Sequence, residues 1–235
     1  MKRRIMSYGI GVSRQKPLFK THQLHSSSSS SSSILTPEEL SEIHSLTHRL
    51  CDANRLHDAV RLLDASLLAL PSPSSLPVPV LVDRLSSDPS LAPSMSLLTS
   101  LRHNPNALPS SALPSCSALL LSSFLRKRRF AHAWKLFSWF LRGDGDSPCR
   151  PHDEMYRIAV AGFCAGWRAR EGVRAAREMV RDGLGVGEEE RGWLRRSLLR
   201  EARVDEALEV DAAVAAGDGE EIGRLLDRII RDWQD

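Results

Sequence analysis

Apolar residues keep helical spacing along this chain in short runs, and the runs come in pairs. Ile43, Leu46 and Leu50 line one face; after a polar break at Asp52–Asn54, Leu56, Ala59, Leu62 and Leu63 line a second. The outline returns in "FLRKRRFAHAWKLFSWFL" (124–141), "FCAGWRAREGVRAAREMVRDGLGVG" (163–187) and "LLREARVDEALEVDAAV" (198–214). Two short helices across a tight turn cannot bury their apolar face alone. The pattern therefore predicts an all-α stack of helical hairpins, each sealing its neighbour.

The equivalent of Leu63 recurs at Leu98, Phe137, Ala176 and Asp211, at intervals of 35 or 39 residues. Five modules follow within 38–219: 40–74, 75–113, 114–152, 153–187 and 188–219. "NPNALPSSA" (104–112) and "GDGDSPC" (143–149) read as loop insertions. The first helix opens at "TPEE", with Thr36 as N-cap, Pro37 as first helical residue and Glu39 as the returning carboxylate of a capping box. The second module is degenerate, with Pro77, Pro79, Pro89 and Pro93. Asp88 and Pro89 are expected to start its second helix, which Pro93 then strains. Residues 220–235 form a closing helix with Ile222, Leu225, Leu226 and Ile229 on one face, expected to cap the stack.

Composition agrees with helix. Leu, Ala, Arg, Glu and Ser dominate the 235 residues and β-branched side chains are few. No apolar run approaches the ~20 residues of a membrane span, so no membrane contact is expected. Cys51, Cys116, Cys149 and Cys164 show no CxxC pairing and read as core thiols.

Residues 1–37 differ. They hold six Lys or Arg, a serine tract and no acid, as an organelle transit peptide does. Its Arg-rich start favours the mitochondrion, with the chloroplast as alternative. Without those six cations the net charge of +3 becomes −3, with 26 basic against 29 acidic residues. The remaining charge is uneven, +8 over 102–200 between ends of −4 and −7, so a polyanion is expected to meet the middle.

"DEMYRIAVAGFCAGWRAREGVRAAREMVRDGLGVG" (153–187) resembles the pentatricopeptide repeat family. Tyr156 sits early in the first helix, "GFC" precedes the turn and "EMVRDGL" closes the second helix; "RPHD" (150–153) resembles the family's Pro-Asp junction. "LCDANRLHDAVRLL" and "REARVDEALEV" resemble its turn and second helix. The resemblance covers roughly 40–219 and is nearest to short P-class-like members of plant organelles. It implies an α-solenoid, a right-handed superhelix of about five hairpins plus the closing helix, whose first helices line an RNA-facing surface. It also implies work in organellar RNA processing, splicing or stability.

In that family the fifth and last residues of a module do most of the base reading. Here the polar ones are His44, Ser74, His152 and Arg157, which become the expected base-facing residues. Pro79, Ala118 and Gly192 offer no donor–acceptor pattern, and Ser41, Ser115, Glu154 and Glu189 replace the family's aliphatic sandwich residues. No per-base code is expected. Phosphate contacts are expected from Arg126, Lys127, Arg128 and Arg129 at the end of one first helix, and from Arg195, Arg196 and Arg200 on another.

"GDGDS" (143–147) has Met155 where a calcium loop needs Glu, and "GLGVG" (183–187) follows no strand, so neither reads as a ligand site. His44 and His48 lack a third metal ligand. No nucleophile–base constellation appears. The expectation is a non-catalytic chain without cofactor, metal or small-molecule substrate, whose partner is single-stranded organellar RNA, weakly specific in sequence, with a protein partner or homodimer alongside. The alternatives are a helical-repeat scaffold for proteins and a decayed copy of a longer repeat protein.

Overall fold

The structure is a computed structural model that describes residues 35–69, 75–103, 112–142 and 150–233. Residues 1–34, with most of the transit-peptide segment, Ser74, Cys149 and most of both loop insertions lie outside the described residues. Eleven α-helices and no strand occur among the described residues. They are α1 (Pro37–Asp52), α2 (Leu56–Ala69), α3 (Val78–Ser87), α4 (Ala92–His103), α5 (Ala112–Arg126), α6 (Phe130–Leu141), α7 (Asp153–Ala165), α8 (Ala169–Arg181), α9 (Glu188–Arg200), α10 (Val204–Ala216) and α11 (Gly219–Arg231). None is long and apolar enough to cross a membrane.

The odd-numbered helices lie side by side, with α1 on α3, α3 on α5, α5 on α7 and α7 on α9. Each even-numbered helix packs on the odd-numbered helix before it, and α2 also packs on α4. Leu63, Leu98, Phe137 and Ala176 are fully buried, while Asp211 is half-buried and lies 3.5 Å from Arg191. Trp134 lies edge-on to Phe163, and Phe137 edge-on to Tyr156, joining α6 to α7 through aromatic contacts that favour this geometry. Cys51, Cys116 and Cys164 are buried free thiols. Burial pushes the Cys116 and Cys164 thiols up to about 12.

Four hairpin turns share one geometry. Asn54, Arg128, Trp167 and Ala202 adopt left-handed backbone, with φ of 55°, 57°, 64° and 59°. The next residue is arginine each time, and its backbone N–H donates to the carbonyl five residues back: Arg55 to Leu50, Arg129 to Phe124, Arg168 to Phe163 and Arg203 to Leu198. This bond satisfies a carbonyl that the helix end leaves without a partner. Each arginine side chain then reaches three residues forward. Arg55 meets Asp58 at 2.7 Å, Arg129 meets His132 at 2.9 Å, Arg168 meets Glu171 at 3.1 Å and Arg203 meets Glu206 at 2.7 Å. The three acidic partners also sit in the first turn of a helix, where its dipole favours negative charge.

The opening of α1 follows its sequence. Thr36 Oγ1 accepts from Glu39 N at 3.2 Å, and Glu39 Oε2 accepts from Thr36 N at 2.8 Å. The second module departs from expectation. Asp88 ends α3 instead of starting α4; its carboxylate accepts from Ser90 N at 2.7 Å, and Ser90 Oγ accepts from Ala92 N at 3.1 Å. A side chain bonding two residues onward builds a turn, so the helix begins later. Pro93 then falls at the second helical position, where a missing N–H removes no helical bond.

The closing helix packs on α8 and α10, and α8, α9, α10 and α11 form a ring in which each touches the next. Arg177 on α8 grips Asp227 on α11 in a two-pronged contact of 2.7 and 3.2 Å. Leu199, Val204 and Leu208 on the α9–α10 hairpin stay exposed.

Arg203 also joins the last two helices, since its guanidinium lies 4.3 Å from the Trp233 ring centroid. The Arg203 hydrogen bond holds the Glu206 carboxyl below its ordinary range. A lowered carboxyl stabilises the fold above the ordinary range, and that contribution is lost as pH falls through the folded value. Arg203→Met should cost about 1 kcal/mol in urea unfolding at pH 7. The gap to the parent should narrow at pH 3 toward what the Trp233 contact alone contributes; an unchanged gap would mean that the carboxylate contributes nothing.

Candidate nucleic-acid interface

The expected contact residues divide by what already occupies them. His44 Nε2 lies 2.9 Å from the Ser75 carbonyl and ties α1 to the start of the next hairpin. His152 is the N-cap residue of α7 and is half-buried, with Nε2 3.6 Å from the Glu154 carboxylate. Arg157 on α7 donates to Asp153 at 3.1 Å and to Glu190 on α9 at 2.8 Å. The Asp153 and Glu190 bonds raise its pKa further above an already high value. Glu190 is buried and also accepts from Gly187 N at 3.0 Å, so Arg157 serves as the counter-charge of a buried carboxylate.

Lys127 and Arg129 are occupied in the same way. Lys127 Nζ lies 2.8 Å from the Asp83 carboxylate and donates to Ser86 Oγ at 2.9 Å and Ser87 Oγ at 2.6 Å. Its hydrogen bond holds the Asp83 carboxyl below the ordinary range. Arg129 donates to the carbonyls of Ser86 at 2.8 Å, Pro89 at 3.1 Å and Asp88. Both cations sit at the C-terminal end of α3, where unpartnered carbonyls and the helix dipole favour positive charge. They hold the irregular turn of the second module.

The other five cations are differently placed. Arg128 and Arg195 are exposed and make no ion pair among the described residues. Arg126 is 70% exposed, 3.9 Å from Asp83, a separation that contributes little in water. Arg196 stacks over Trp193 at 4.6 Å and Arg200 over Trp167 at 5.1 Å.

Arg126 and Arg128 line an open groove of about 570 Å³ across α5, α7 and α9, and Arg196 and Arg200 lie against two of its aromatic side chains. Its floor is apolar, from Leu125, Ile158, Ala161 and Gly162. A Cβ on Gly162 would fall 2.4 Å from Leu125 Cδ1, so glycine permits the close approach of α7 to α5 there. Phe130, Trp167 and Trp193 supply aromatic walls, Arg126 and Arg128 supply charge, and no lining residue is acidic. A second groove of about 540 Å³ shares Trp193 and Arg196 but mixes Arg195 with Glu188, Glu189 and Asp211. Sequence reasoning missed Trp167 and Trp193. For Trp167 the signal lay in the turn position, where an indole stands in line with Asn54, Arg128 and Ala202; Trp193, inside α9, carries no such signal.

Chemically, the first groove can take a flat, anionic guest: an apolar floor, aromatic faces and guanidinium groups around them. No cluster of His, Cys, Asp and Glu able to hold a metal occurs among the described residues. A scan against family models and a search of curated proteins each return no match to this chain.

Removing Arg157 should leave Glu190 buried without its counter-charge. Arg157→Met is expected to cost about 3 kcal/mol in urea unfolding, and the double variant Arg157→Met, Glu190→Gln to recover most of it. Additive losses would show that the two side chains do not act as a pair.

Proposed function

We propose that this chain is a non-catalytic, single-stranded-RNA-binding helical-repeat protein whose odd-numbered helices form one wall of a right-handed solenoid. The resemblance of residues 153–187 to pentatricopeptide repeats motivates the family and the organellar setting. The setting is RNA processing, splicing or stability, in the mitochondrion or else the chloroplast. One observation carries the reading: Arg126, Arg128, Arg195, Arg196 and Arg200 are exposed, with Arg126 no nearer than 3.9 Å to Asp83 and the other four in no ion pair among the described residues, while Lys127, Arg129 and Arg157 are occupied by the fold. Guanidinium groups on one wall supply phosphate contacts without reading bases.

The expected base-facing residues add little to this mechanism. His44 and Arg157 already have protein partners, so affinity comes from charge and shape, with weak sequence preference. A second reading, docking of a protein or of a second copy, draws on the exposed Leu199, Val204 and Leu208 of the α9–α10 hairpin. Its signature is a partner that survives ribonuclease digestion in a pull-down with the whole chain.

Salt titration tests the leading reading. Five phosphate contacts predict a log–log slope of affinity against salt of about −3.5 for single-stranded RNA. Each Arg→Gln change among Arg126, Arg128, Arg195, Arg196 and Arg200 should flatten it by about 0.7. A flat slope, or no binding at low salt, overturns the reading.

A further inference from the structure

The groove between α5, α7 and α9 contains more than phosphate contacts require. Trp167 is 63% exposed although it sits in a left-handed turn that Asn54, Arg128 and Ala202 form equally well elsewhere in the chain. The turn has no need of an indole, and left-handed backbone is unfavourable for a side chain as bulky as Trp. Trp193, from a different helix, lines the same groove, and a guanidinium lies against each ring.

The surroundings select the guest. Aromatic cages for quaternary or methylated ammonium groups rely on cation attraction. Here Arg126 and Arg128 line the groove, Arg196 and Arg200 each lie over one of its indoles, and the lining has no carboxylate, so a cation is repelled. An aromatic anion fits both requirements. The groove's volume of about 570 Å³ suits a small-molecule-sized guest, and bases inside a duplex present no free face to it.

We infer that this groove binds unpaired nucleobases of single-stranded RNA by stacking on Trp167 and Trp193, with Arg126 and Arg128 holding the flanking phosphates. The inference rests on the RNA-binding reading and names what that surface recognises. Ser122 is the one neutral polar side chain in the lining, so base edges go largely unread. The site therefore tolerates any sequence and favours purines, which have the larger stacking face.

The test uses the full chain, with fluorescence anisotropy on labelled RNA twelve-mers: oligoadenylate, oligouridylate and an abasic strand with the same number of phosphates. Trp167→Asn suits the purpose because Asn54 already occupies the same turn geometry. Trp193→Leu serves as a second variant, and circular dichroism checks both for folding. Oligoadenylate should bind roughly tenfold or more tighter than the abasic strand, with oligouridylate between them. Trp167→Asn should remove roughly tenfold of the oligoadenylate affinity while leaving the salt slope and abasic binding unchanged.

Equal binding of abasic and adenylate strands overturns the stacking site while the phosphate reading stands. The stacking site falls equally if Trp167→Asn binds oligoadenylate as tightly as the parent does. Indole fluorescence untouched by RNA overturns it too. Absence of binding to any strand at low salt overturns both readings.

Discussion

Two helices joined by a short turn can meet at many angles, and a row of hairpins tolerates little variation among them. The left-handed residue followed by arginine removes that freedom four times in this chain. The backbone bond from the arginine N–H closes the first helix, and the arginine side chain engages the first turn of the second. One residue thus satisfies a carbonyl at the end of the first helix and holds a side chain in the first turn of the second. Where the device is missing, between α3 and α4, the chain substitutes a side-chain turn at Asp88 and Ser90, and borrows Lys127 and Arg129 from the following hairpin. The most proline-rich hairpin therefore depends on its neighbour for its shape.

The same residue type serves two purposes in this chain, and geometry separates them. Arginines that meet a carbonyl or buried carboxylate, such as Arg129, Arg157 and Arg203, fix helices to one another. Those that meet only an indole, Arg196 and Arg200, keep their donors toward solvent. The distinction concentrates the proposed RNA surface on α5, α7 and α9, within the stretch where the sequence carries its excess of positive charge. It also explains how a chain with an acidic balance over its described helices can present a basic face.

Much of the fold was legible because its determinants are local. Thr36, Pro37 and Glu39 announce α1 within four residues, and helical periodicity places α5 through α10. The turn at Asp88 was misplaced because an aspartate before proline suits a helix start and a side-chain turn equally well. The position of α11 depends on Arg177 meeting Asp227 fifty residues later, which no local pattern encodes. The contact residues were least legible. Lys127 and Arg128 are neighbours of one type in sequence, yet one is anchored on α3 and the other faces solvent. Aligning the turns would have exposed both the recurring arginine and the odd tryptophan.

The ring formed by α8, α9, α10 and α11 makes the two ends of the molecule unequal. A simple row of hairpins frays from either terminus, because each unit holds only its neighbour. Here α11 reaches back past the last hairpin to α8, where Asp227 meets Arg177, so the last hairpin is held from two sides. The arginine-bearing α9 therefore lies inside a closed circuit of four helices, whereas α1 packs mainly on α2 and α3.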